Sequence, residues 1–162
     1  MKPERDAQGV EMRLAQLTDA GAIAALLLAA FIEYQPLYTD DGFAATTPTN
    51  EQILDRMQEG PIWIVLFQQS IVGTLSVILE DSELYLRGMA VLPAARGQRV
   101  GELLLKQVEE FAIAHGCRRL FLSTTPFLSR AIRLYERFGF RRTAEGSGDL
   151  FGTPLFTMEK ML

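Results

Sequence analysis

The sequence predicts a single α/β (α+β) domain over residues 1–162, with a mixed, mostly antiparallel sheet flanked by helices. Three observations carry this reading. Three apolar, β-branched segments between Ile62 and Leu92 are joined by turns too short for a crossover, so they form an antiparallel meander. A helical pattern and then another strand follow, which makes the third meander strand and that next strand a parallel, right-handed pair. The 162 residues, 48% apolar and 22% charged, suit one ordinary core.

The elements follow in order. Val10 to Gln16 alternates apolar and polar side chains, the mark of a half-buried strand. Thr18 and Asp19 are good cap residues for an Ala/Leu-rich helix running to about Tyr34, where Pro36 stops it. Pro36 to Pro48 reads as a loop, with Asp41-Gly42 as a turn signal. Thr49 to Gln58 reads as a short helix, capped by Thr49 or Asn50 and broken at Gly60-Pro61. The meander strands are Ile62–Phe67, Ile71–Leu79 and Glu83–Leu92, and Gly88 inside the third marks a bulge or a close backbone approach.

From Arg99 to His115 the pattern is helical, with Val100, Leu104, Val108, Phe111 and Ala112 on one face and Gly116 as the stop. Arg118 to Thr124 is a strand. Ala131, Leu134, Tyr135 and Phe138 form the stripe of a last helix ending at Gly139. Residues 140–144 and 155–161 read as two final strands around a Gly146-Ser147-Gly148 hairpin.

Composition excludes several functions. The net charge of −4 argues against nucleic-acid binding. The charge is uneven: residues 1–80 carry −7 and residues 81–162 carry +3, so the second half suits an anionic ligand. One His and one Cys do not make a zinc site, and the lone Cys117 allows no internal disulfide, which fits a reducing, cytoplasmic setting. Met1 to Arg13 has no apolar stretch, so no secretory leader is expected, and the apolar run Ala22–Ile32 is short for a membrane span.

The chemically informative stretch is Met89 to Glu102, M-A-V-L-P-A-A-R-G-Q-R-V-G-E. A strand ends at Pro93, a turn carries Arg96, Gly97 and Arg99, and a helix begins at once. The first amides of a helix lack internal partners and sit at its positive end, a natural seat for phosphate. Two glycines leave the approach open, and two arginines add forked donors. The Gly-Lys-Ser/Thr ending of a Walker A loop and the G-x-G-x-x-G pattern are both absent. An ordinary glycine turn with solvated arginines is the competing reading. A second segment, Ala131 to Phe140, reads A-I-R-L-Y-E-R-F-G-F; periodicity alone makes Tyr135 a core aromatic.

Together the two segments resemble the GNAT superfamily of N-acetyltransferases. Its loop pattern Q/R-x-x-G-x-G/A is matched by Arg96-Gly97-Gln98-Arg99-Val100-Gly101 after Val91-Leu92-Pro93, and its A-x-x-L-Y-x-x-x-G-F pattern by Ala131, Leu134, Tyr135, Gly139 and Phe140. The resemblance implies that the parallel strand pair splays apart and that acetyl-CoA threads into the opening. The backbone of Met89, Ala90 and Val91 would meet pantetheine and the acetyl carbonyl. The loop Arg96 and Gly97, with the amides of Gln98, Arg99, Val100, Gly101 and Glu102, would hold the pyrophosphate. Tyr135 would protonate the leaving thiolate, since a phenol of pKa ~10 still carries its proton at neutral pH.

The match departs from the family in places. Arg99 stands where glycine is preferred. Leu128 stands where many members have an asparagine touching the cofactor, so that role is either missing from this chain or taken by Ser129. Tyr85 and Ser123 stand where some members carry a glutamate base, so no base carries over; a water chain ending on Glu33, Tyr34, Asp40 or Asp41 is an alternative. Tyr34 and Arg87 are the candidate substrate-binding residues. Arg87 alternates with Tyr85 and Met89 and either reaches an acceptor carboxylate or lies on the sheet surface.

The implied activity is acetyl transfer to a primary amine of a small molecule or peptide. The alternatives are an acyl-CoA-binding regulatory module without turnover and a longer-acyl transferase such as a succinyltransferase. No metal, nucleic-acid or membrane partner is expected, and a homodimer is an arrangement the family offers. Arg130, Arg133 and Arg137 read as a solvated helix face, with contact of Arg130 or Arg133 with the CoA phosphates as the alternative. His115 and Cys117 read as structural.

Overall fold

A computed structural model describes residues 4–5, 9–144 and 148–162. The elements, in chain order, are β1 (Glu4–Arg5), β2 (Val10–Leu14), α1 (Ala20–Phe31), α2 (Asp40–Thr46), α3 (Asn50–Glu59), β3 (Ile62–Phe67), β4 (Ser70–Glu80) and β5 (Glu83–Val91). Then come α4 (Val100–Ala114), β6 (Arg119–Thr124), α5 (Ser129–Arg137), β7 (Arg141–Arg142), β8 (Asp149–Leu150), β9 (Thr153–Pro154) and β10 (Phe156–Met161). One sheet has the order β1-β2-β3-β4-β5-β6-β10-β7, and β8 pairs with β9 in a separate ribbon. Every neighbouring pair in the large sheet is antiparallel except β5 and β6, which run parallel as expected.

The sheet is covered on both faces, and β3 shows why its sequence is a continuous apolar run. Ile62, Ile64 and Leu66 point to a core built with Ile23, Leu26, Leu27 and Ala30 of α1 and Ile53 of α3. Trp63 and Val65 point the other way, to a core with Val100, Leu104, Leu105, Val108 and Ala112 of α4. Thr49 caps α3: its side chain accepts from the Gln52 amide at 3.2 Å, while the Gln52 side chain accepts from the Thr49 amide at 2.9 Å.

Three expectations need correction. The first helix ends at Phe31 and tightens into a 3-10 turn over Ile32–Leu37, because Pro36 has no N–H to give to an α-helical ladder. With its flanking turns this segment, Leu17–Leu37, is 21 residues long and apolar enough to cross a bilayer by length and composition, longer than the run expected from sequence. Its buried residues Ala20, Ile23, Leu26, Leu27 and Ala30 pack against the sheet instead.

The stretch read as a loop contains α2. Thr39 caps it by accepting from the Gly42 amide, and Asp40 and Asp41 lie at its positive end. Gly42 belongs to that helix because space demands it. An added Cβ would fall 2.5 Å from Thr153 Oγ1 and 2.8 Å from the Leu150 carbonyl oxygen. Lastly, β7 and β10 do pair, but the chain between them adds the β8–β9 ribbon, with Phe151 and Gly152 at positive φ in its turn. Gly146 and Ser147, placed at a hairpin tip from sequence, lie outside the described residues.

Candidate active site

The site begins where the β5–β6 ladder ends. The pair is in register from Glu83 opposite Arg119 to Leu86 opposite Leu122. Beyond Leu86, β5 continues to Val91 without β6 beside it. Gly88 makes the break. Thr74 pairs with Ala90 and Ser76 with Arg87, so Leu75 alone faces both Gly88 and Met89. That is a bulge, and Gly88 takes φ +63° within it. The Ser76 hydroxyl donates to the Arg87 carbonyl at 3.2 Å and pins the bulge. The main-chain groups of Arg87–Val91 on the β6 side therefore have no ladder partner and are open to a ligand. Here lies a cavity of about 900 Å³, with Met89, Ala90 and Val91 on its wall.

The loop after β5 shapes one end of this cavity. A 3-10 turn over Pro93–Ala95 leads to Gly97 at φ +85° and Arg99 at φ +63°. The left-handed backbone at residue 99 explains why glycine suits that position in the family pattern. No side chain caps α4, so the amides of its first turn lack intrahelical partners. Gly101 is dictated by packing: an added Cβ would fall 2.5 Å from Leu134 Cδ2 and 3.0 Å from Met89 Cε.

Arg96, Gly97, Arg99, Gly101 and Glu102 line the cavity. Val100 is buried beside Gly73 and offers only its backbone. Gln98 does not line the cavity, and its amide already donates to the Ala95 carbonyl at 3.4 Å. Arg96 is tied to Glu33 by a short ion pair. Arg130, Arg133 and Arg137, read as a solvated face, all border the cavity. Leu128 borders it as well, whereas Ser129 does not.

Tyr135 lies on the wall with its ring in the core, 5.8 Å from the Phe140 ring centroid. Burial, and to a lesser degree the nearby Tyr38, push its phenol well above the ordinary range. Such a group stays protonated at any working pH. Tyr34 and Tyr38 come from the turn after α1 and roof the cavity; Phe127, which does not line it, packs on both rings, 6.2 Å from Tyr34 and edge-on to Tyr38 at 4.9 Å. Thr39 ties this roof to the β8–β9 ribbon. Its amide donates to Thr153 Oγ1 at 2.9 Å, and its hydroxyl to the Phe151 carbonyl at 2.8 Å.

Arg87 and Tyr85 of β5 and, from α3, Arg56 also line the cavity. Burial and the neighbouring Arg87 guanidinium lower the pKa of Arg56. Of the four residues considered for a proton path, only Tyr34 lines the cavity; Glu33, Asp40 and Asp41 do not. Sequence reasoning missed Arg56 and Tyr38, since no local pattern shows which side of a short helix or loop will face a distant strand. Cys117 is buried, its thiol pushed up by burial, and lies off the cavity. Among the described residues no group of three or more His, Cys, Asp or Glu is placed to hold a metal ion.

Comparison with known proteins agrees with this geometry. The model of the acetyltransferase (GNAT) family matches residues 24–140. An uncharacterized N-acetyltransferase of Escherichia coli, YjgM, is 34% identical over 139 residues, covering 82% of this chain and 83% of that protein. The structure of the PaiA N-acetyltransferase from Thermoplasma acidophilum in complex with coenzyme A superposes with a TM-score of 0.81 at 15% identity, covering 94% of this chain and 99% of that one. A second solved structure, of yncA from Salmonella typhimurium with its cofactor acetyl-CoA, gives a TM-score of 0.73 at 20% identity over 95% of this chain and 94% of that one.

Proposed function

The chain belongs to the acetyltransferase (GNAT) family, and from that premise we propose that it moves the acetyl group of acetyl-CoA onto a primary amine of a small molecule or peptide. One observation carries the reading: a broken strand ladder, an uncapped helix N-terminus and a buried phenol meet in one cavity. The residues fit acetyl-CoA. The Val100, Gly101 and Glu102 amides, with Arg96 and Arg99, would take the pyrophosphate. The open edge of β5 at Met89–Val91 would take the pantetheine amides.

Both substrates are held together. The neutral amine nitrogen attacks the thioester carbonyl carbon, and the oxygen gains the charge, stabilised by a β5 N–H near Ala90. Collapse breaks the carbon–sulfur bond. The thiolate takes the proton of the Tyr135 phenol, while the amine's proton leaves to water and restores the phenol. Among the described residues, none of the three carboxylates considered for a proton path is placed as a dedicated base, since Glu33 pairs with Arg96 and Asp40 and Asp41 lie off the cavity.

That same feature favours a second reading, an acyl-CoA-binding module without turnover. Thiol release from acetyl-CoA over a panel of primary amines separates the two. Release with at least one amine supports transfer; coenzyme A binding with no release from any of them supports the module. A series of acyl-CoA chain lengths identifies a longer-acyl transferase.

A further inference from the structure

Two arginines outside the phosphate loop line the cavity together, and their counter-charge is incomplete. Arg56 comes from α3 and Arg87 from β5, and both line the cavity. Arg87 Nη2 lies 3.2 Å from Glu59 Oε1, a half-exposed carboxylate. Its Nε is buried without a hydrogen-bond partner. Among the described residues, Arg56 has one side-chain hydrogen bond, from Nη2 to the Ala45 carbonyl at 3.4 Å, and no ion pair. Two guanidinium ions thus share one carboxylate.

The carboxylate also lies on the wrong side to neutralise the cavity. Arg56 and Arg87 border both the main cavity and a smaller hollow of about 230 Å³. Glu59 and Asp55 line the hollow and not the cavity. Glu59 therefore steadies Arg87 from behind, and neither it nor Asp55 lines the cavity that both guanidinium groups border. A guanidinium offers five N–H donors in a planar fork that matches a carboxylate, so these donors ask for an anion from the cavity.

The position relative to the reacting centre is telling. A Cβ added at Gly88 would meet Arg56 Nη1 at 3.0 Å, so this guanidinium packs on the bulge itself. Ala90, two residues on, is where the acetyl carbonyl is expected. We propose that Arg56 and Arg87 form a carboxylate subsite, so the acceptor is a small amine bearing a carboxylate, an amino acid or a near analogue. This rests on the acetyl-transfer reading above. It departs from the cationic acceptor that the acidic N-terminal half of the chain would favour, because the charge at the site is set by these two side chains.

The test uses the full chain saturated with acetyl-CoA for thiol release, or with coenzyme A for thermal shift. The ligands are α-amino acids, their amides and the matching decarboxylated amines. At least one acid should be used with a kcat/KM roughly 10- to 150-fold above its amide, the span of a hydrogen bond to a charged group. Arg87→Gln and Arg56→Gln should compress that ratio toward one by raising KM for the acid, and the conservative Lys variants should restore part of it. Thermal shift of the coenzyme A complex gives a second reading that needs no turnover: acids should stabilise it more than amides. Coenzyme A binding with acids no better than amides in both assays on the unaltered protein overturns the subsite and leaves acetyl transfer standing. No coenzyme A binding overturns the parent reading, and the subsite falls with it.

Discussion

Replacing Gly97 by alanine isolates the backbone of the phosphate loop from everything else. Gly97 is exposed, and an added Cβ would meet nothing within 4 Å, so there is no clash to relieve. What remains is φ +85°, which costs an L-residue about 1–2 kcal/mol. In the free protein an exposed loop can relax out of that conformation. In a complex gripped by the loop it cannot, so the strain appears as lost affinity. At about 1.4 kcal/mol per tenfold, Kd for coenzyme A should rise roughly 5- to 30-fold.

Gly116 supplies the matched control. It is exposed, its added Cβ also meets nothing within 4 Å, and its φ is +71°, at the far end of α4. Gly116→Ala should leave Kd unchanged and lower Tm by about 2–8 °C, given about 2–4 °C per kcal/mol at this chain length. Isothermal titration and thermal unfolding on both variants provide the comparison. If Gly97→Ala loses Tm like Gly116→Ala and keeps its Kd, the loop is an ordinary turn.

Three further outcomes are expected. Tyr135→Phe should lower kcat by roughly 10²- to 10⁴-fold, the scale of a general acid, with little change in Kd for coenzyme A; an unchanged kcat returns Tyr135 to packing. The pH profile of kcat/KM should climb as the acceptor amine loses its proton and show no descending limb up to about pH 10. The Tyr135 pKa is raised, so its proton is retained where an ordinary phenol begins to lose it; a fall below pH 9 would contradict the assignment. Gly42→Ala should destabilise the fold by about 1–3 kcal/mol through the backbone clash with Leu150, and should raise KM for the acceptor by loosening the roof. Chemical denaturation and steady-state kinetics read these two effects.

The parts legible in the sequence are those whose reasons are local. The continuous apolar run of β3, the cap of α3 at Thr49 or Asn50, which the structure places at Thr49, and the strand–proline–glycine–helix series from Val91 to Gly101 each state their structure within a few residues. Gly88 announces its bulge because a glycine inside a strand needs a reason. The illegible parts depend on partners far along the chain. Helix α2 is read as a loop from Asp41-Gly42, and it takes Thr153 and the Leu150 carbonyl, over a hundred residues away, to make that glycine necessary. Arg56 looks like one more charge on an amphipathic helix until β5 brings Arg87 beside it. No base is assignable from sequence, and the geometry explains the difficulty: the carboxylates of the first loop are spent on Arg96 or on the N-terminus of α2.

The most direct measurement is calorimetry of the full chain with coenzyme A beside pantetheine, which lacks the diphosphate. The free amides of Val100, Gly101 and Glu102 predict clear binding of coenzyme A and a loss of most affinity when the diphosphate is removed. Equal affinity for the two, or no heat with coenzyme A, would contradict the role given to the start of α4.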